Sequence, residues 1–256
     1  MPRRGTAIAP HQSMSTNGQV RLAAVGDLHY KRGGQAGISW MGLIADAADV
    51  LLLCGDLTDY GRVEEARELA RELTTSLPIP IVAVLGNHDF ESDQSHEVAA
   101  ALGDVGVHVL DGDTCEVLGV GFAGIKGFAG GFGRGALGPW GEPVIKQFVQ
   151  EAIAEALKLE SALARLRTRH KIAVMHYSPV VDTVAGEPPE IFPYLGCSRL
   201  AEPLARYPVT AVFHGHAHGG TAEGVTGTTP VYNVSLPLMS RLSPGMPVRI
   251  LTLEVD

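Results

Sequence analysis

Three apolar runs dominate the first third of the chain and alternate with helical patterns. Residues 20–25, 50–54 and 79–85 are almost continuously apolar, which is typical of strands that are buried on both faces. Apolar residues between 63 and 73 recur at helical spacing, and another helix is predicted from about 39 to 48. This βαβαβ order predicts parallel strands that are joined by right-handed crossovers.

The remainder of the chain is less regular. Residues 105–124 are predicted to form short antiparallel strands with turns at 111–113. The glycine-rich stretch 127–141 is predicted to be a long loop near the functional site, which it could cover as a mobile segment. An amphipathic helix is predicted from 143 to about 168. Four more strands are predicted at 172–175, 209–213, 230–235 and 248–255.

The composition is that of a globular protein with a large core. Of the 256 residues, 45% are hydrophobic and 19% are charged, which suits a single domain over residues 19–256. Residues 1–18 are predicted to be a disordered lead-in. No apolar run is long enough to span a membrane, and no signal-peptide core follows Arg3 and Arg4. Three widely spaced cysteines indicate a reducing compartment, so we predict a cytoplasmic protein.

The charge balance narrows the class of partner. A formal net charge of −8 and a pI of about 5.7 argue against a basic stripe for nucleic acid. A local positive centre, such as a bound metal, could still attract a phosphate group. The charge balance therefore gives no indication of nucleic acid as a partner and leaves a phosphate-bearing substrate open, and the sequence does not indicate an oligomeric state.

Each strand of the first unit ends in a glycine that is followed by a potential ligand. These pairs are Gly26-Asp27, Gly55-Asp56 and Gly86-Asn87. The carboxyl ends of parallel strands meet at one edge of a sheet, where the sites of open α/β proteins lie. Later strands end in His176 and in the segment 214–218, where alternate histidines share a face. We therefore expect these polar groups to converge.

The converging groups suit a pair of metal ions. The candidate ligands are Asp27, His29, Asp56, Asn87, His176, His216 and His218. One zinc site needs only three or four ligands, whereas two metals about 3.5–4 Å apart can share a carboxylate and clamp a phosphoryl group. Nitrogen and oxygen ligands without a thiolate are compatible with manganese, iron or zinc. His214 is a weaker candidate for the same site.

Five motifs, in this order, resemble those of the calcineurin-like metallophosphoesterases. They are Gly-Asp-x-His at 26–29, Gly-Asp-x-x-Asp at 55–59, Gly-Asn-His-Asp at 86–89, a histidine after a strand at 176, and Gly-His-x-His at 215–218. The resemblance covers most of the chain. It implies an α/β fold, a four-layer α/β/β/α sandwich of two mixed sheets, with two divalent or trivalent metal ions at the carboxyl ends of the strands.

The resemblance also implies roles for individual residues. One metal would be held by Asp27, His29 and His218, and the other by Asn87, His176 and His216, with Asp56 bridging the two. His88 would contact the phosphate or protonate the leaving group. In the protein-phosphatase branch an aspartate at the position of Asp59 orients this histidine, so we predict a hydrogen bond between the Asp59 carboxylate and His88.

Departures from the family motifs indicate the subfamily. Protein Ser/Thr phosphatases carry an arginine where this chain has Tyr60, and purple acid phosphatases carry a tyrosine where it has Asp59. The segment Gly-Asp-Leu-Thr-Asp is similar to bacterial small-molecule enzymes, including cyclic-nucleotide phosphodiesterases. Arg134 and Arg241 are weaker candidates for contact with the substrate phosphate, because arginine binds phosphate in a bidentate manner.

The predicted function is hydrolysis of a small-molecule phosphodiester by a hydroxide that bridges two metals. Two alternatives stay open. The first is a phosphomonoesterase, and the second is a non-catalytic metal-binding scaffold that presents a surface to a partner. The complete ligand set and the presence of His88 favour an enzyme, since a scaffold does not need them.

Overall fold

The computed structural model describes residues 18–33 and 40–255. A first sheet contains β1 Gln19–Val25, β2 Val50–Cys54, β3 Ile81–Val84, β4 His108–Val109 and β11 Arg249–Glu254. The strand order is β11-β1-β2-β3-β4. Strands β1 to β4 are parallel, and β11 pairs antiparallel with β1. The predicted parallel βαβαβ unit is therefore confirmed.

A second sheet contains the remaining strands. They are β5 Asp113–Val117, β6 Val120–Gly124, β7 His170–Val174, β8 Ala211–His214, β9 Glu223–Thr226 and β10 Thr229–Asn233. Their order is β5-β6-β7-β8-β10-β9. The four inner strands are parallel, and both edge strands are antiparallel to their neighbours. Both sheets are thus mixed, as predicted.

Helices cover the outer face of each sheet. Their bounds are α1 Met41–Ile44, α2 Val63–Ser76, α3 Ser95–Gly103, α4 Pro143–Arg165, α5 Phe192–Leu195, α6 Ala201–Arg206 and α7 Leu236–Leu242. In α2 the apolar residues Ala66, Leu69 and Leu73 lie on one buried face, because the 3.6-residue period brings them together. They pack on the first sheet, whereas α4 and α6 pack on the second.

Alternation along the central strands divides the core into three apolar layers. In β1, Leu22 and Ala24 face the second sheet, whereas Ala23 and Val25 face the helices, since successive side chains point to opposite faces. Phe122 and Phe213 fill the space between the sheets from the other side. The result is the predicted four-layer α/β/β/α arrangement.

The segment 105–124 differs from its prediction. β4 joins the first sheet in parallel with β3, because it follows α3 and completes another βαβ unit. β5 and β6 do form an antiparallel hairpin, but the turn lies at Leu118–Gly119, where both residues have positive φ. The turn that was predicted at 111–113 instead lies where the chain passes from β4 in the first sheet to β5 in the second.

Two other predictions concern the limits of the described chain. Apart from Gly18, the predicted lead-in lies outside the described residues, as does the start of the predicted helix 39–48, which appears as the short α1. Among the residues that the structure describes, none of the helices is long and apolar enough to cross a bilayer.

Candidate metal centre

The structure brings the predicted ligands together between the two sheets. Asp27 and His29 follow β1, Asp56 follows β2, and Asn87 and His88 follow β3. From the second sheet, His176 follows β7, and His216 and His218 follow β8. Because both sheets present their carboxyl ends to the same place, residues that are up to 191 positions apart are in direct contact.

Asp27, His29 and His218 form a first cluster that could hold a metal, because one ligand atom from each lies within 4.8 Å of the others. The His218 Nε2 is 3.0 Å from the Asp27 Oδ1. The main-chain N–H of His216 donates to both oxygens of the Asp27 carboxylate. The Asp27 side chain is therefore fixed by the segment that carries its partner histidine.

Asp56, His176 and His216 form a second cluster of the same kind. The His176 Nδ1 lies 3.0 Å from the main-chain oxygen of Cys54, so Nδ1 carries the proton that is donated to this carbonyl. Its Nε2 then presents a lone pair 3.0 Å from Asn87 Oδ1 and 3.4 Å from Asp56 Oδ1. Three electron-rich atoms that converge in this way fit a cation, and a metal-bound histidine commonly donates its other N–H to a carbonyl.

His216 is arranged in the same way as His176. Its Nε2 lies 3.1 Å from the carbonyl oxygen of Tyr194, which leaves Nδ1 as the nitrogen with a lone pair. Burial lowers the pKa of His216 to about 4, so the ring is neutral at neutral pH. Neutral imidazole is the form that binds metals.

The Asp56 carboxylate lies between the two clusters. Its Oδ2 is 3.8 Å from His29 Nε2, and its Oδ1 is 3.4 Å from His176 Nε2. The main-chain N–H of His88 donates to Oδ1 over 2.8 Å. Burial alone would raise the pKa of Asp56, but without metal a protonated His176, whose pKa is raised to about 9, holds the pKa of Asp56 well below its usual value. A bound metal would supply the positive charge in place of that proton and leave Nε2 with its lone pair. Asp56 is therefore an anion that faces both candidate metal positions.

Backbone strain is concentrated at these residues. Among the described residues, six other than glycine have positive φ, and four of them are Asp27, His29, Asp56 and His216. Such conformations cost about 1–3 kcal/mol each and persist where the surroundings impose them, often at functional sites.

At two positions of the motifs, a ligand residue packs so closely against the backbone that only glycine fits. An added Cβ at Gly86 would overlap the main-chain N and Oδ1 of Asp56, and one at Gly215 would overlap Oδ2 of Asp27. The glycines thus let one ligand-bearing loop pack directly on the carboxylate of another. The carboxylate, imidazole and amide donors that converge here fit metal ions.

His88 lies at the edge of the first cluster. Its ring centroid is 4.4 Å from that of His29, and its Nδ1 is 2.8 Å from the main-chain oxygen of Asp59. The prediction of a hydrogen bond between His88 and the Asp59 carboxylate is therefore wrong. His88 is bonded to the main-chain carbonyl of Asp59 instead. The carboxylate lies 3.6 Å from His29 Nδ1 and 3.5 Å from Lys31 Nζ instead.

Asp89, the last residue of the Gly-Asn-His-Asp motif, has a structural role that the sequence did not reveal. It is fully buried, and it accepts hydrogen bonds from the main-chain N–H groups of Leu57, Thr58 and Gly86 and from the Thr58 hydroxyl. It thereby connects the loops that carry Asp56 and Asn87. The sequence did contain one indication of this role, because Asp89 directly follows His88, the candidate general acid.

Three weaker candidates occupy different environments. His214 is fully buried and contacts the Thr183 hydroxyl and the Gly215 carbonyl, so it supports the ligand segment from behind. Arg241 donates to the main-chain oxygen of His218 and therefore lies beside the first cluster. Arg134 is exposed in the glycine-rich stretch.

The glycine-rich stretch lies close to the centre. Gly130 and Gly131 donate to the main-chain oxygens of Pro193 and Gly196, on either side of Tyr194, whose carbonyl contacts His216. The predicted position near the site agrees with these contacts. The role of a mobile cover stays a prediction.

Comparisons with solved structures show the same fold. A phosphopantetheinyl hydrolase from Mycobacterium tuberculosis superposes with a TM-score of 0.66 at 16% identity, covering 92% of this chain and 96% of that one. A protein from Thermus thermophilus gives 0.54 at 16% identity, covering 93% and 99%. A structure described as a putative 5′-nucleotidase from Staphylococcus aureus gives 0.56 at 15% identity, and covers 93% of this chain but 51% of its own.

The sequence comparison identifies the family. No curated protein matches the chain, but the calcineurin-like phosphoesterase profile matches residues 20–220. This range contains the two clusters described above, a third that is formed by His29, Asp59 and His88, and every motif from Asp27 to His218. The chain therefore belongs to the calcineurin-like phosphoesterase family and is a metal-dependent phosphoesterase.

Proposed function

We propose that this phosphoesterase binds two metal ions and hydrolyses a small-molecule phosphodiester. The observation that carries the proposal is the position of Asp56, whose two oxygens face His29 on one side and His176 on the other. Asp27, His29 and His218 would hold one metal, and Asn87, His176 and His216 the other. When bound, the metals would polarise the phosphoryl group and lower the pKa of water.

Residues around the two metal positions would have separate roles in catalysis and in metal binding. His88 Nδ1 donates to the Asp59 carbonyl, which fixes the ring and turns Nε2 away from that carbonyl. With both ring nitrogens protonated, Nε2 would donate its proton to the leaving oxygen, as a general acid, and the ring would keep the proton on Nδ1. Cys54 and Tyr194 keep His176 and His216 in the tautomers that bind metal.

The preference for a small diester rests on the Gly-Asp-Leu-Thr-Asp segment. The next residue, at the position where the protein-phosphatase motif has an arginine, is Tyr60, which is about half exposed. A diester has one charge fewer than a monoester, so it needs fewer cations at the site.

We also infer one domain over residues 19–256 and a cytoplasmic location.

The test combines metal analysis with two chromogenic substrates. Protein that is saturated with Mn²⁺ should contain two metals per chain and hydrolyse bis-p-nitrophenyl phosphate faster than p-nitrophenyl phosphate. The reverse order of rates would identify a monoesterase. One metal or none, or no hydrolysis of either compound, would contradict the proposal.

Two variants separate metal binding from proton transfer. Asp56→Ala should lose at least one metal and most activity, whereas His88→Ala should keep both metals and lose activity by about 10²–10⁴-fold. Asp104→Ala is the matched control, because Asp104 is exposed at the end of α3. Full activity of metal-replete Asp56→Ala would refute the bridging role.

A further inference from the structure

Lys126 is a lysine in an unusual environment beside the metal centre. It follows β6, and its main-chain oxygen accepts the N–H groups of His176 and Tyr177. Its side chain is only partly exposed, and its Nζ lies 4.8 Å from the centre of the Phe128 ring, 5.4 Å from Tyr177 and 5.6 Å from Phe90. Three aromatic rings therefore surround one ammonium group.

The ammonium group of Lys126 has fewer hydrogen-bond and ion-pair partners among the described residues than it can accommodate. An ammonium has three N–H donors, and here one of them donates to the Gly127 carbonyl over 2.8 Å. Within residues 18–33 and 40–255, no carboxylate is in ion-pair contact with Nζ, and Glu151 and Glu155 act on it only at longer range. Glu155 already accepts hydrogen bonds from Gly127 and Lys158. Lysines are seldom buried without a paired anion.

Two ring contacts connect this ammonium to the metal centre. The Tyr177 ring, 5.4 Å from Nζ, is 4.5 Å from the ring of His216. On the other side, Phe90 belongs to the short 3₁₀ helix that begins at His88, and its side chain is 41% exposed. Lys126 thus lies between the ring that contacts His216 and the short helix that begins at His88.

We propose that Lys126 binds a second phosphate group of the substrate, on the side of the leaving group. The inference rests on the proposed function, since it places the scissile phosphate at the metals and the leaving oxygen near His88. Lysine binds phosphate as a point charge, and the aromatic rings hold the ammonium in place by cation–π attraction. The preferred substrate is therefore a phosphoester with a phosphate on its leaving group.

The test measures binding with compounds that cannot be hydrolysed. Propylphosphonate carries one anionic group, whereas ethane-, propane- and butane-bisphosphonates carry two at increasing separation, and their C–P bonds are stable. Isothermal titration calorimetry with Mn²⁺-loaded protein should give at least one bisphosphonate a Kd about 10-fold lower than that of propylphosphonate. Equal affinities at every separation would overturn the proposal, whatever the variants do.

Variants locate the effect. Lys126→Met should abolish the bisphosphonate advantage and leave metal content and propylphosphonate affinity unchanged, and Lys126→Arg should keep most of the advantage. Lys146→Met removes the same charge from an exposed position on α4, so it should bind like the parent protein. An advantage that persists in Lys126→Met, or a loss of metal in that variant, would overturn the proposal.

Failure of this proposal can be told apart from failure of the proposed function. Hydrolysis of p-nitrophenyl esters without any bisphosphonate preference would refute only the role of Lys126. Calorimetry needs no turnover, so a Lys126-dependent preference in a protein without phosphoesterase activity would support the phosphate subsite and contradict the proposed reaction.

Discussion

At the scale of single residues, the sequence predicted which side chains lie at the site better than it predicted the contacts of main-chain groups. The candidate ligands were found because His, Asp and Asn have metal-binding atoms in their side chains and occur at strand ends. The contact between His88 and Asp59 was predicted for the right residues but the wrong atom. A carbonyl oxygen is present in every residue, so its use leaves no trace in the sequence. The same holds for the positive φ values of Asp27 and Asp56.

The position of the Asp59 side chain leads to a prediction about metal affinity. Its carboxylate is 3.6 Å from His29 Nδ1, which is too long for a direct hydrogen bond but close enough to favour His29 as a ligand. Asp59→Asn should therefore weaken metal binding about 10-fold, whereas kcat at saturating Mn²⁺ should change little because the main-chain contact to His88 is retained.

Metal titrations and steady-state kinetics on the same preparations check this prediction. Asp93→Asn removes the same charge from an exposed residue of the neighbouring loop, so its metal affinity should match that of the parent protein. A large fall in kcat for Asp59→Asn at full metal occupancy would instead restore the carboxylate as the group that orients His88.

At the scale of elements, the parallel strands could be predicted and the edges could not. Buried strands such as β2 show as continuous apolar runs with β-branched or aliphatic residues, and the helices between them show a clear 3.6-residue period. β4 has only two residues, which is too short for any periodicity. The sequence also did not predict the connection between the loops after β2 and β3. That connection consists of hydrogen bonds from main-chain donors and one hydroxyl to a single carboxylate, that of Asp89.

The Asp89 connection should dominate the stability of the loops that carry the ligands. Asp89 accepts four hydrogen bonds from three residues while fully buried. Replacement by Asn puts an NH₂ group opposite N–H donors and leaves buried donors unsatisfied, so Asp89→Asn should lower the free energy of unfolding by about 3 kcal/mol. Thr58→Val removes only the hydroxyl donor and should cost about 1 kcal/mol.

Urea denaturation of metal-free protein measures both changes without the contribution of bound metal. The order of the two variants is the sensitive result, since it depends on the number of hydrogen bonds that are lost. If Asp89→Asn were no less stable than Thr58→Val, the carboxylate would not be the centre of the connection.

At the scale of the whole molecule, the pairing of the two sheets could not be derived from residue patterns alone. The continuous apolar runs predict strands that are buried on both faces, but they do not indicate which layer each face contacts. The resemblance to a family supplied the four-layer arrangement, and the structure confirms it. One consequence concerns the ligands, which are divided between the sheets: Asp27, His29, Asp56 and Asn87 come from one, and His176, His216 and His218 from the other.

Because its ligands come from both sheets, metal should stabilise the whole fold. Free metal at a thousand times its Kd adds about 4 kcal/mol to the free energy of unfolding, and each kcal/mol raises Tm by about 2–4 °C in a domain of this size. Removal of metal with EDTA should therefore lower Tm by about 10 °C, as measured by calorimetry. EDTA that is added together with excess Mn²⁺ controls for effects of the chelator itself. Asp56→Ala should show a much smaller difference between the metal-loaded and metal-free states, because the carboxylate that faces both positions is missing. An equal Tm with and without metal in the parent protein would mean that the two sheets hold their ligands in place without it.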